Sequence, residues 1–184
     1  MLAYAGPVHV VWEASALPAA VEALRAEQHL GFDTETRPAF RKGESYDPSL
    51  LQLAGEREVW LFQVQRLPEL KELFALLADP AILKSGVAID RDIKELQVLS
   101  SFQPAGFEDV GEMAKERGFR QSGLRPLTAM LLDGRLSKSA QTSNWAAKEL
   151  SAKQIRYAAT DAWVSRLLHQ KMREIPLPEP KEES

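Results

Sequence analysis

The chain has 184 residues, 45% hydrophobic and 27% charged, which is enough for one domain with a real core. It has no cysteine and only three histidines, His9, His29 and His169, so disulfides, thiolate zinc sites and cysteine nucleophiles are excluded and any metal must be held mainly by oxygen, as Mg²⁺, Mn²⁺ or Ca²⁺ would be. The net charge of −3 provides no globally basic surface, so a nucleic acid would be held by a local patch or through metal ions.

In chain order, His9-Val10-Val11-Trp12 reads as a short strand. Ser15 then stands before a helix running from about Pro18 to Gln28, with proline in the first turn and Ala20, Val21 and Leu24 on its apolar face. A second strand covers Leu30 to Thr34. The loop after it, Arg37 to Gly43, mixes three cations with Phe40, as either a solvated loop or a flexible contact to nucleic acid. Leu50–Ala54 and Glu58–Phe62 read as a hairpin turning at Gly55-Glu56-Arg57. A helix from Pro68 to Ala78 follows, then a strand over Ile82–Ala88. Asp90 is read as the cap of the next helix, whose apolar face carries Ile93, Leu96 and Leu99.

Phe107–Val110 is a further strand leading into a helix over Gly111–Arg117, and Leu124–Leu132 is helical until Gly134 stops it. Lys138–Trp145 is polar and irregular. The last helix spans Ala152–Glu174, and residues 176–184, rich in proline and charge, are expected to be extended or disordered beyond a domain over 1–175. Hairpin strands followed by strands alternating with helices give an α/β fold with a mixed sheet flanked by helices, the second strand central. With no signal peptide and no apolar stretch of membrane length in the sequence, the expectation is a cytoplasmic protein with no membrane attachment.

Three stretches carry chemistry. In Phe32-Asp33-Thr34-Glu35, two carboxylates alternate along a strand and so share a face, where they repel each other unless a cation, a shared proton or a basic partner intervenes. In Gly86-Val87-Ala88-Ile89-Asp90-Arg91-Asp92, a strand gives way to a helix bearing two aspartates. Asp90 is placed as a cap, and Asp92, inside the first turn, is freer to reach another element. In Tyr157-Ala158-Ala159-Thr160-Asp161, the tyrosine and the aspartate are one helical turn apart, with small residues between them that allow close packing on a sheet.

FDTE, GVAIDRDIKEL and YAATD, in this order, resemble the three motifs of the DEDD superfamily of 3′→5′ exonucleases. The tyrosine in the third motif resembles the subgroup that contains ribonuclease D and the exonuclease domain of the Werner syndrome helicase, with Ser143-Asn144-Trp145 nearest the latter. The histidine form is rejected, because its position is held by Arg156. The resemblance covers about Val10 to Met172 and implies a ribonuclease H-like fold. It also implies catalytic Asp33, Glu35, Asp92, Tyr157 and Asp161, and two divalent cations, Mg²⁺ or Mn²⁺, held by the four acids. Asp33 would bridge the metals, Asp92 would act through water, and Tyr157 would orient the nucleophilic water or the scissile phosphate.

The implied substrate is a nucleic acid 3′ end, single-stranded or recessed, released as nucleoside 5′-monophosphates. The Werner likeness favours DNA over RNA. The alternatives are an RNA-processing exonuclease like ribonuclease D and a non-catalytic nucleic-acid-binding domain that keeps the fold. The chain is too short to hold a helicase or polymerase and has no GxxxxGK[ST] phosphate loop, so any such partner would be a separate chain, or the sequence is an excised domain. Phe32 is read as core. Trp145 is either core or beside the site. Lys138, Lys148, Lys153 and Arg156 are read mostly as solvated charges.

Overall fold

The computed structural model describes residues 1–179. Strand β2 (His29–Glu35) sorts its side chains by parity: Leu30 and Phe32 are fully buried on one side, while Gly31, Asp33 and Glu35 face the other. It lies inside a six-stranded sheet of order β1-β4-β3-β2-β5-β6, as its apolar neighbours predict. Its partners are β3 (Leu50–Ala54), antiparallel, and β5 (Leu83–Gly86), parallel. Next to β3 runs β4 (Val59–Phe62), antiparallel, closing the predicted hairpin. Parallel edge strands β1 (Val8–Val11) and β6 (Phe107–Asp109) complete the mixed sheet.

Helices cover both faces. On the face of Leu30 and Phe32 lie α1 (Leu17–Arg25), α2 (Lys71–Leu77) and α3 (Asp90–Leu99), packed through residues such as Leu24, Phe74 and Leu96. On the other face runs the long α6 (Ala152–Glu174), flanked by α4 (Val110–Glu116) and α5 (Leu124–Leu131). Ser151 and Gln154 start α6 with a reciprocal capping box, so its register begins at a defined residue. Ala158, Ala159 and Ala162 are fully buried and let α6 approach the sheet. At the crossing Gly31 is required: a Cβ there would overlap the Ala162 carbonyl oxygen. This contact sets Asp161 opposite Asp33 and Glu35.

Some local expectations change. Ser15 lies within a 3-10 turn (Ala14–Ala16) and caps nothing; α1 begins at Leu17, where proline at the second position and a run of alanines favour helix. Helix α5 ends before Asp133, which takes φ of 48° and makes the turn expected of Gly134. Gly134 serves packing instead, since a Cβ there would overlap the Leu2 side chain. Residues 176–179 have no regular secondary structure, and the rest of the predicted tail, 180–184, lies outside the described residues. No helix among the described residues is long and apolar enough to cross a membrane.

Candidate active site

The C-terminal half of β2 and the third turn of α6 meet over the sheet, and there Asp33, Glu35 and Asp161 bring one carboxylate oxygen each within 4.8 Å of one another. Asp161 is 6% exposed. The three line the floor of a cleft of about 530 Å³, together with Tyr157, Arg125 and Lys138. No histidine joins them. An all-oxygen donor set of this density fits a hard divalent cation.

Asp92 comes from the opposite layer. Thr34 points away from Asp33 and Glu35, toward α3, and its hydroxyl donates to the Asp92 carboxylate. Asp92 therefore stands outside the close group of three, tethered at the end of β2 and near enough to disfavour charge on Asp33 and Glu35. Asp90 does not cap α3. It is the first helical residue, its carboxylate points to solvent, and it pairs with Lys94 one turn on at 2.6 Å. The amides of Ala88 and Ile89 are bonded instead by Asp109, which also caps α4.

Electrostatically the floor is an uncompensated cluster. Burial raises Asp33 well above the usual carboxylate range, with further pushes from Asp161 and Asp92. Burial and then Asp33, Asp161 and Asp92 push Glu35 up to about 10. Burial lifts Asp161 to about 6, against the pull of Tyr157 and Arg125. Burial and the adjacent Asp161 and Glu35 raise the Tyr157 phenol too, so it is a hydrogen-bond donor and not a base.

Trp145 resolves to core. It is fully buried and its ring lies 5.8 Å from that of Tyr157, supporting the tyrosine from behind. Gln154 donates to the Asn144 carbonyl at 3.1 Å, which ties the Ser143-Asn144-Trp145 segment to the start of α6. Phe32 is core as well, edge-on to Phe107 at 5.2 Å. Of the cations near the last helix, Lys138 lines the acidic cleft, Lys153 and Arg156 line an adjoining depression, and Lys148 lies elsewhere with Trp12 and Arg66. Phe40 in the loop after β2 is exposed, and Arg37 stacks over Tyr46 at 4.2 Å.

Two residues escaped sequence reasoning. Arg125, on the first turn of α5, donates Nη2 to the Tyr157 hydroxyl at 3.2 Å and to the Ser137 carbonyl at 3.4 Å. Its Nε is buried with no hydrogen bond among the described residues, and the residue lines the cleft. Gln52 pairs with Asp33 across β2 and β3 on the same face, fully buried, with neither amide atom bonded within the protein. The polar residue inside the apolar strand Leu50-Leu51-Gln52-Leu53-Ala54 was the available signal.

Residues 8–175 match the family model described as 3′-5′ exonuclease. Ribonuclease D of Acidiphilium cryptum (strain JF-5) is 34% identical over 162 residues, covering 86% of this chain and 40% of the relative, so the chain spans about two fifths of that protein. The Nibbler EXO domain of Aedes aegypti superposes with a TM-score of 0.80 at 25% identity, over 91% of this chain and 87% of that one. RNase D of Escherichia coli gives 0.80 at 25% identity, over 91% of this chain and 44% of that one.

Proposed function

The chain belongs to the 3′-5′ exonuclease family, and from that premise we propose that it removes nucleotides one at a time from nucleic acid 3′ ends with the help of two divalent cations, Mg²⁺ or Mn²⁺. The observation that carries this reading is the group of three carboxylates within 4.8 Å on the floor of an open cleft. Asp33, Glu35 and Asp161 would hold the metals, and Asp92, steadied by Thr34, would act through water. When bound, the cations supply charge neutralisation at the scissile phosphate and an acidic water as nucleophile. The acids must shed the protons that their crowding retains, which links metal binding to proton release.

Tyr157 stays protonated, accepts a hydrogen bond from Arg125 and holds its O–H toward Asp161, from where it would orient the attacking water or a phosphate oxygen. Arg125, on the wall of the same cleft, would bring a fixed positive charge near the phosphate, favouring the charge that develops during displacement. The leaving group is the 3′ oxygen of the penultimate nucleotide, and the product is a nucleoside 5′-monophosphate. RNA is the first substrate in this reading, because the relative with 34% identity is a ribonuclease D. This departs from the DNA preference drawn from the sequence motifs.

Incubation of the protein with 5′-labelled single-stranded RNA, single-stranded DNA and a recessed duplex, in Mg²⁺, Mn²⁺ or chelator, tests the proposal. A metal-dependent ladder is expected, fastest on RNA, with Asp33→Asn slower by at least about 100-fold. Faster digestion of DNA would restore the Werner-like assignment. A ladder that persists in chelator, or in Asp33→Asn, would overturn the metal assignment. Binding without degradation would favour the non-catalytic alternative.

A further inference from the structure

Gln52 is polar where the strand pattern calls for an apolar residue. It sits between Leu50 and Ala54 on the face of β3 that packs under α6, and it is fully buried. Its partner on β4 is Leu61, buried in the same layer, and its partner on β2 is Asp33. Neither Nε2 nor Oε1 has a hydrogen bond among the described residues. A buried amide left unbonded costs stability that leucine or methionine at this position would not. The residue weakens the core it sits in, so its benefit has to be sought in what stands beside it.

Asp33 is the polar side chain that strand pairing sets next to the amide. Directly paired residues on one face have Cβ atoms about 4.5–5.5 Å apart, a gap that a glutamine amide can cross. Among the described residues Asp33 accepts one hydrogen bond, from the Thr34 amide to Oδ1 at 2.9 Å. An ionised carboxylate offers about four lone-pair sites. After the Thr34 amide and two cations, one remains.

Resting on the exonuclease reading, we infer that Gln52 is the positioning residue of Asp33: with the cations bound, its Nε2 donates to the Asp33 carboxylate and fixes the direction in which that group offers its oxygens to the metals. A hydrogen bond made to a ligand, and not to the ion, orients the ligand and tunes its affinity. A neutral donor suits the place, because a lysine or arginine would bring its own positive charge to the acids and compete with the cations. The same layer holds a second unbonded polar atom, Trp145 Nε1, a donor and so a match in kind for Gln52 Oε1.

The test compares the wild type with Gln52→Met, which keeps the approximate shape and removes both polar atoms, and with Gln52→Asn, which keeps the amide and withdraws it by one methylene. In chelator Gln52→Met should melt about 2–4 °C above the wild type, because an unbonded amide has left the core. Calorimetric titration with Mn²⁺ should show affinity weakened about 10- to 100-fold in both variants. On 5′-labelled RNA, activity at limiting Mn²⁺ should fall by about the same factor, and saturating Mn²⁺ should recover most of kcat with KM for RNA unchanged. Added to Asp33→Asn, Gln52→Met should weaken Mn²⁺ binding little further.

Wild-type Mn²⁺ affinity in both variants, or losses that multiply with Asp33→Asn, would overturn the role of Gln52 and leave the exonuclease reading standing. A Gln52→Met chain that unfolds in chelator would do the same, since the amide would then be holding the fold. Failure of the wild type to bind Mn²⁺ at all would overturn both.

Discussion

Asp90 and Asp92 stand two residues apart on one helix, yet only Asp92 turns toward β2. Asp90 is held in solvent by Lys94, an exposed pair of the kind that contributes little. Asp92 is turned back to the strand end by Thr34. Asp92→Ala is therefore expected to lower exonuclease activity at least about 100-fold and Asp90→Ala less than about twofold; the reverse order in a gel assay would show that Asp90 is the functional acid. Arg125 acts on the same scale. Because it anchors Tyr157 and lines the cleft, Arg125→Ala should lower kcat by about 10- to 100-fold with little change in KM. Lysine should restore only part, since its flexible ammonium lacks the rigid planar guanidinium that holds one nitrogen against both Tyr157 and Ser137. Tyr157→Phe added to Arg125→Ala should cost little more than either alone; losses that multiply would mean that Arg125 does not work through the tyrosine. The motif acids were legible because their spacing survives in one dimension. Arg125 was not, because it sits on an otherwise apolar helix far upstream of Tyr157, and only the docking of α5 on α6 brings the two together.

Elements were legible to the degree that their own residues fix their ends. Helix α6 was read as Ala152–Glu174, and the capping box of Ser151 and Gln154 explains why its start is sharp. Helix α1 was read as Pro18–Gln28 and runs Leu17–Arg25: its start lies within one residue of the reading, and its end comes early because the chain must turn into β2 at His29. The sheet followed from the alternation of apolar segments, but the layer from which each acid arrives did not. Thr34 and Asp33 face opposite sides of β2, so one site draws on helices from both layers. The crossing of β2 and α6 is the element-scale weak point. Gly31→Ala would drive a methyl into the Ala162 carbonyl, which is backbone and cannot swing aside. A loss of about 2–4 kcal/mol is expected from overpacking and strand displacement. Denaturant unfolding measures it, and activity should fall with the loss of stability because Asp161 is carried on the displaced helix. Wild-type stability in the Gly31→Ala variant would mean that the two elements stand farther apart than described.

Across the whole molecule, the site works against the fold that carries it. Glu35 is raised from 4.5 to about 10 and Asp161 from 3.8 to about 6, so between those values the folded chain retains protons that the unfolded chain has released. Stability without metal must then fall as pH rises through that window, by no more than about 1.4 kcal/mol per pH unit for each proton. An opposing contribution ends lower. His29 donates to or accepts from Ser85 at 2.7 Å and is pushed down to about 3 by burial, then by His169, Arg166 and Arg173. The unfolded chain binds that proton below about 6.5 and the folded chain does not, so this group makes stability rise with pH up to about 6.5 and is silent above it. From pH 7 to pH 9 Asp161 and His29 no longer contribute to the slope; Asp33 and Glu35 make stability fall as pH rises, buried Lys84, lowered to about 8, opposes them, and comparison with a Glu35 variant isolates the glutamate. In chelator, the melting temperature should fall across that interval, and Glu35→Gln should flatten the fall and raise the melting temperature at pH 9, because an amide needs no proton to be neutral. Mg²⁺ or Mn²⁺ should raise the wild-type melting temperature most at pH 9, where the carboxylates are nearest to being free of protons, and should raise that of Glu35→Gln less. A wild-type melting curve indifferent to pH and metal would mean that the three carboxylates are not crowded together in solution, and the candidate site would lose its physical basis.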